Sequence, residues 1–554
     1  MMKRDEILDP WNIPQRRAVL RGIGFTSDQT EKPIIGVLNS WGENSPAAGH
    51  LDRLAKKVKA GIESAGGMPL EFAISALCTA PAGGSRGASY SLAYRDIVAD
   101  FVEIIAETNL FDGIVFTTVC DDVVPAHLMA AARLNIPSMI VLGGYMLPTI
   151  YKGKAYHLAD VGMTYMKLQK GEISQREFED FAQIACGNFG ACPVMGTGNT
   201  MGAIAETLGM TLPGNSTTSG SDPKLVRLAY QAGVQIMSLV GKGIRPSDIL
   251  TMESFENAIR VFLALGGSTN TLIHLPAIAA ELDMEIPLSR FDALSRETPF
   301  LCNIRPSGKY TMKEFDEAGG LPAVLKELLP LLNSGTQTVT EKTLEENVRD
   351  SEVLDRGVIF PLSAPIAQEG AVAIVSGNLA PNGAVVKISG LSKEELIKKG
   401  PAKVFHSEKE ACEKLFQGEI KPGDMVVIRY VGPKGDPGMR LTPRFLWFLS
   451  GTDLSRDVTL ISDGRFSGTN RGGAIGHVSP EAAEGGTIAI VQDGDIIEVN
   501  IPERKLELVV SEQEIKRRYH SWKPPQPNYK KGLLARISKT MLPVEHGAIL
   551  QRKF

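Results

Sequence analysis

The chain has 554 residues, with 59 basic and 63 acidic side chains and a net charge of −4. That near-neutral balance excludes a dedicated nucleic-acid binder, which needs a basic excess to neutralise phosphates. Apolar residues make up 43% and charged residues 22%, an ordinary globular composition that excludes disorder and fibrous repeats.

The chain opens Met1-Met2-Lys3-Arg4-Asp5-Glu6, charged and without the apolar core of a signal peptide. The most apolar stretch, residues 136–150, is broken by Pro137 and Pro148 and is too short to span a bilayer. A cytoplasmic protein is therefore expected. From residue 33 to 150, short apolar runs alternate with helix-period segments. Residues 34–38, 113–119 and 139–142 are predicted strands. Leu51, Leu54, Ala55, Val58 and Ile62 recur at three- and four-residue spacing, a helix stopped by Gly66 and Gly67, and residues 125–134 form a second helix opened by Pro125. Strands joined through helices imply a parallel sheet with right-handed crossovers. Residues 199–360 read as mainly helical, with residues 341–356 as a solvated helix leading to a connector. The first domain is placed at residues 1–365.

Beyond residue 365 the texture becomes β-rich. Segments 371–375, 384–388, 425–430, 458–461, 487–491, 496–501 and 506–510 are short and rich in β-branched residues, and turn chemistry separates the last three. The expected fold is thus an α/β N-terminal domain with a parallel sheet plus a β-rich, barrel-like C-terminal domain over residues 366–554.

Six cysteines, Cys78, Cys120, Cys186, Cys192, Cys302 and Cys412, in so long a chain do not suggest a disulfide framework. They are buried thiols or metal ligands. Cys120 sits where a predicted strand hands over to a helix, the edge at which parallel sheets bind ligands. A helix N-terminus there would favour its thiolate. Asp121 and Asp122 follow and can bind a hard cation such as magnesium through oxygen. The plainer alternative is a buried thiol beside an Asp that caps the helix. Cys186 and Cys192 lie in a glycine-rich loop that has neither the P-loop pattern nor zinc-framework spacing. Cys78 opens another flexible, glycine-rich loop. Three loop cysteines from three places argue for one iron–sulfur cluster more strongly than any argues alone. Three protein ligands leave one iron open to act as a Lewis acid on substrate oxygen. In the β-rich half, Asp463-Gly464-Arg465-Phe466-Ser467-Gly468 ends a strand. Arg465 has the fork geometry to clamp a carboxylate, and Ser467 can act as a base where positive charge stabilises its alkoxide. Otherwise the run is a turn capped by Asp463, with His477 a structural histidine.

These segments resemble the dihydroxy-acid dehydratase / 6-phosphogluconate dehydratase family, which includes the aldonic (sugar-acid) dehydratases. The likeness is carried by Ala65-Gly66-Gly67, Tyr90-Ser91-Leu92, Cys120-Asp121 and Gly266-Gly267-Ser268-Thr269-Asn270. It continues through Gly377-Asn378-Leu379-Ala380-Pro381-Asn382-Gly383, Gly432-Pro433-Lys434-Gly435-Asp436-Pro437-Gly438-Met439, the Asp463–Gly468 run and Gly476-His477-Val478-Ser479-Pro480-Glu481-Ala482. The resemblance implies a homodimer or dimer of dimers of two-domain subunits, with the active site between the domains. It implies dehydration of a 2,3-dihydroxy acid, either a branched-chain dihydroxy acid of amino-acid biosynthesis or an aldonic acid, to a 2-keto acid. Carried over by position, Cys120 and Cys192 are ligands of an iron–sulfur cluster (2Fe–2S or 4Fe–4S), Cys78 is the third, Ser467 is the base and Asp121 holds magnesium.

The chain also departs from the family pattern. Asp122 stands where the family has a lysine that is carbamylated to reach magnesium, and Thr79 stands where it has Asp. Ala47 replaces a cysteine that some members carry, and Arg440-Leu441-Thr442 follows Met439 where a Glu is usual. Asp122 keeps a negative oxygen at a shorter reach, and Arg440 is a candidate to grip the substrate carboxylate in the metal's stead. The alternative function is a divergent paralogue that has lost the magnesium site and altered or abandoned dehydration.

Overall fold

The computed structural model describes residues 8–440, 442–466 and 473–551. Its N-terminal half is built on β1 (Ile34–Asn39), β2 (Met68–Ala73), β3 (Gly113–Thr118) and β4 (Ser138–Leu142). They form a parallel sheet in the order β2-β1-β3-β4. β1, β3 and β4 are buried along their whole length, as expected of a parallel sheet covered on both faces, where strands read as continuous apolar runs. The edge strand β2 is half exposed and starts Met68-Pro69. That broken pattern hid it from the sequence reading.

The helices that position the site are α1 (Leu51–Ser64), α2 (Ser91–Asn109), α3 (Val123–Leu134), α4 (Asp160–Gln169), α5 (Gln175–Ile184), α6 (Thr197–Thr207), α7 (Pro223–Lys242), α8 (Met252–Leu265) and α9 (Thr271–Ala280). α1 ends where expected, with Gly66 at φ 88°. α1 and α7 approach almost backbone to backbone. A Cβ on Gly233 would lie 2.1 Å from the Val58 carbonyl oxygen, and one on Gly61 would lie 2.2 Å from that of Tyr230. Gly233→Ala is therefore expected to wedge the two helices apart and cost about 1–3 kcal/mol. It should appear as a lower denaturation midpoint at unchanged slope. The predicted helix over residues 341–356 shrinks to the single capped turn Leu344–Val348.

The second half contains β5 (Val372–Gly377), β6 (Ala380–Lys387), β7 (Ile397–Phe405), β8 (Met425–Ile428), β9 (Thr459–Ser462), β10 (Ala474–Ser479), β11 (Ile496–Asn500) and β12 (Lys505–Leu508). They close into a mixed eight-stranded barrel in the order β8-β9-β10-β6-β5-β12-β11-β7. Closure leaves no free sheet edge. The barrel core is aliphatic, with Val375, Val386, Val427, Ile461, Ile497 and Leu506 among its buried residues. Residues 487–491 are a turn of 3-10 helix, Thr487–Ile490, rather than a strand. β7 and β10 are strands that the sequence reading did not include. Two short helices complete the site, α10 (Glu408–Phe416) and α11 (Arg444–Leu449). Among the described residues no helix is long and apolar enough to cross a membrane.

Candidate active site

Three loops at the carboxyl edge of the parallel sheet each carry a cysteine. Cys78 lies beyond β2. Cys120 lies between β3 and α3, in the left-handed region at φ 80°. Cys192 precedes α6, in a segment tied to the end of β4: the Ala191 N–H donates to the Gly144 carbonyl at 2.9 Å, and the Met146 N–H donates to Ala191 at 2.8 Å. The Asn199 side chain fixes the Cys192 loop by donating to the carbonyls of Cys192 (2.6 Å) and Val194 (2.8 Å). All three cysteines line one cavity of about 530 Å³, together with Asp121 and Asp122.

The thiols are close enough to act on one another. Burial pushes the Cys120 thiol well up, and the charges of Asp121, Cys78 and Cys192 add to this. Burial, then Asp121 and Cys78, does the same to Cys192. Cys78 is raised chiefly by burial. The helix N-terminus at Cys120 therefore does not win; desolvation of the charged form does. Such thiols are inert until an ion takes the place of their protons. Exposed Cys186 also acts on Cys192. Cys302 and Cys412 are buried in two separate apolar clusters, and neither lines the cavity.

The two aspartates behave oppositely. Asp121 is pushed up to about 6 by burial and by its neighbour Asp122, against the pull of Arg465 and a hydrogen bond from the Gly198 N–H at the start of α6. Burial would raise Asp122 as well, but the Arg465 guanidinium overrides it and holds that carboxyl at about 2, with help from His274. Asp122 does stand at the N-cap position of α3, yet its side chain makes no cap hydrogen bond. It turns instead to Arg465, which reaches across from the barrel: Nη1 donates to Oδ1 at 3.1 Å and Nη2 to Oδ2 at 3.4 Å. Arg465 also donates to Ser91 Oγ at 2.9 Å and to the Met439 carbonyl at 2.6 Å. The Ser91 hydroxyl donates to Asp122 Oδ2. The guanidinium is fully buried.

The loop that delivers Arg465 is anchored by Asp463, which accepts the N–H groups of Tyr430, Val431 and Ala482 at 2.9–3.0 Å. His477 is buried and kept neutral by that burial and by Arg465, its pKa near 3, a structural histidine. Arg440 pairs with Asp436 at 2.6 Å and is not among the residues lining the cavity. Ser467, Gly468 and Leu441 lie outside the described residues.

The wall facing the cysteines was missed by the sequence reading. It is made of Leu158, Val161, Tyr165, Phe178, Trp447 and Phe448. Tyr165 packs against Phe178 and Phe448 with ring centroids 5.7 and 5.9 Å apart. Arg444 also lines the cavity, held by Glu408 at 2.9 Å. The dense aromatic run Phe445-Leu446-Trp447-Phe448 was the available signal.

The donor set fits a cluster of several irons, because thiolates from three loops could each hold a different iron and would not need to share one ion's shell. It does not fit magnesium: both oxygens of Asp122 are engaged by Arg465 and Ser91. Among the described residues no three His, Cys, Asp or Glu side chains gather closely enough to hold a single metal ion.

The family model described as dihydroxy-acid/6-phosphogluconate dehydratase N-terminal matches residues 32–347, and its C-terminal counterpart matches residues 357–548. The chain is 47% identical over 554 residues to a dihydroxy-acid dehydratase of Caldanaerobacter subterraneus subsp. tengcongensis, covering 99% of each. It is 45% identical to that of Acetivibrio thermocellus over the full length of both, and 44% identical to that of Methanosarcina barkeri over 99% of this chain and 100% of the relative.

Proposed function

Because the chain belongs to the dihydroxy-acid/6-phosphogluconate dehydratase family, we propose that it is a hydro-lyase. It removes water from a 2,3-dihydroxy acid to give a 2-keto acid at an iron–sulfur centre held by Cys78, Cys120 and Cys192. The observation that carries this reading is the meeting of those three thiols, from separate loops, in one cavity with Asp121. When bound, such a cluster supplies a Lewis-acidic iron for a hydroxyl oxygen.

The remaining chemistry belongs to side chains. Elimination breaks the C2–H and C3–O bonds, leaves an enol and releases hydroxide that must be protonated. Asp121, with its carboxyl raised to about 6 by burial and by Asp122, is partly protonated at slightly acid pH and is suited to give that proton to the departing oxygen. Ser467 is the proposed base for the C2 proton. Its support is its place in the chain, two residues after Arg465, which pairs with the cavity-lining Asp122. The enol then tautomerises to the keto acid. Ser467→Ala is expected to abolish turnover while leaving the cluster's visible absorption unchanged; normal turnover in that variant would remove the serine from the mechanism.

The aromatic and aliphatic wall favours an acid with an apolar tail. An aldonic acid would leave several hydroxyl groups against Val161, Phe178 and Trp447 without partners, at a cost of about 1–3 kcal/mol each. In a keto-acid assay, branched-chain dihydroxy acids are expected to exceed aldonates in kcat/KM by at least about a hundredfold. Aldonates as the better substrates would overturn that assignment. Failure of every acid would leave the second reading, a family member with altered chemistry, which the engagement of Asp122 by Arg465 favours. The six free cysteines suit a reducing compartment such as the cytoplasm. The proposed assembly is a homodimer or dimer of dimers, to be checked by light scattering.

A further inference from the structure

The carboxylate of Asp122 is fully engaged, and what engages it is a cation. Arg465 meets Oδ1 at 3.1 Å and Oδ2 at 3.4 Å. The Ser91 hydroxyl donates to Oδ2, and His274 Nε2 lies 3.6 Å from Oδ1. The guanidinium is fixed in turn by the Met439 carbonyl at 2.6 Å and by Ser91 at 2.9 Å. It has no exposed surface, so it has no room to swing away. Asp121 is the carboxylate that remains, and it already accepts a backbone N–H from Gly198.

Magnesium needs near-octahedral oxygen ligation and gives up its waters reluctantly. Entry here would set a double positive charge beside a buried guanidinium whose own counter-charge, Asp122, is already engaged, leaving Asp121 to offset the repulsion between the two cations. In a medium of low dielectric that repulsion is large. We propose that Arg465 is the built-in cation of this centre, countering Asp122 in the place of a divalent metal, so that the centre takes up no magnesium. Arg465 is then a positioning residue: it holds Asp122 and the barrel loop against the N-terminal domain. Any keto-acid formation proceeds without added metal. Only that last consequence rests on the dehydratase reading.

The test uses anaerobically reconstituted full-length protein and Mn²⁺ as an EPR-visible probe competed by Mg²⁺. Wild-type protein is expected to hold no Mn²⁺ that Asp121→Asn or Asp122→Asn releases, and millimolar Mg²⁺ is expected to leave its melting temperature unshifted. Arg465→Gln leaves two neighbouring carboxylates without their cation and is expected to gain one Mn²⁺ per chain. One Mn²⁺ in the wild type, lost in either aspartate variant, would overturn the proposal, as would a Mg²⁺-dependent rise in wild-type melting temperature. A folded Arg465→Gln protein that still takes up no Mn²⁺ would also contradict it. These readouts need no turnover, so they stand even if every acid fails as a substrate. If an acid is turned over, the rate is expected to be the same in EDTA as in millimolar Mg²⁺, and a tenfold dependence on Mg²⁺ would overturn the proposal.

Discussion

Replacing Cys120 with alanine is expected to abolish dehydration and to strip the protein of iron and sulfide, while leaving its far-ultraviolet circular dichroism unchanged. The residue lies between β3 and α3 and lines the cavity, and its side chain is small, so its loss opens no large void in the apolar core. On the proposed reading, what is lost is a cluster ligand. Lewis-acid stabilisation of a leaving oxygen contributes several kcal/mol, so the expected fall in kcat is about a thousandfold or more. Cys192→Ala should behave alike. Cys302→Ala and Cys412→Ala should retain iron, because neither thiol lines the cavity. Iron retained in Cys120→Ala and Cys192→Ala would separate these sulfurs from the centre.

The second large effect concerns the joint between the two halves. Asp122→Asn leaves the Arg465 guanidinium buried without its counter-charge, a change that typically costs about 3–5 kcal/mol. The pH dependence has a definite sign. Asp122 is held at about 2, below its ordinary value of 3.8, so its contribution is full above about pH 5 and is lost as pH falls through 2. The shift of nearly two units corresponds to about 2 kcal/mol. The stability difference between wild type and Asp122→Asn, followed by denaturant unfolding, is therefore expected to shrink as pH is lowered from 6 toward 2. A difference independent of pH would mean that the pair does not carry it.

Much of the architecture was legible because burial writes itself into sequence. β1, β3 and β4 are buried throughout and mostly apolar, and the three- and four-residue spacing of Leu51, Leu54, Val58 and Ile62 could only be an amphipathic helix. The misses have equally physical causes. β2 carries a proline and alternates like an edge strand. β7 carries Lys398, Lys399 and Lys403 around Gly400-Pro401, so no apolar run or clean alternation marked it. Residues 487–491 are a short apolar run, for which periodicity cannot distinguish a strand from a tight helix.

The same division holds at the site. Each cysteine could be picked out because it stands in a flexible loop beside a predicted strand or helix. Asp122 looked like a helix cap, since its true partner, Arg465, is 343 residues away and no local pattern couples them. The aromatic wall likewise comes from α4, α5 and α11, which meet only in the folded chain. Arg440 had the right chemistry for a carboxylate clamp, but Asp436, four residues back, holds it.

Iron-edge anomalous diffraction from crystals of the reconstituted protein bears most directly on the centre described here. The account predicts one iron density feature per chain, bounded by the Sγ atoms of Cys78, Cys120 and Cys192 and facing the aromatic wall. Iron bound elsewhere, or three free thiols in protein that turns over substrate, would contradict it.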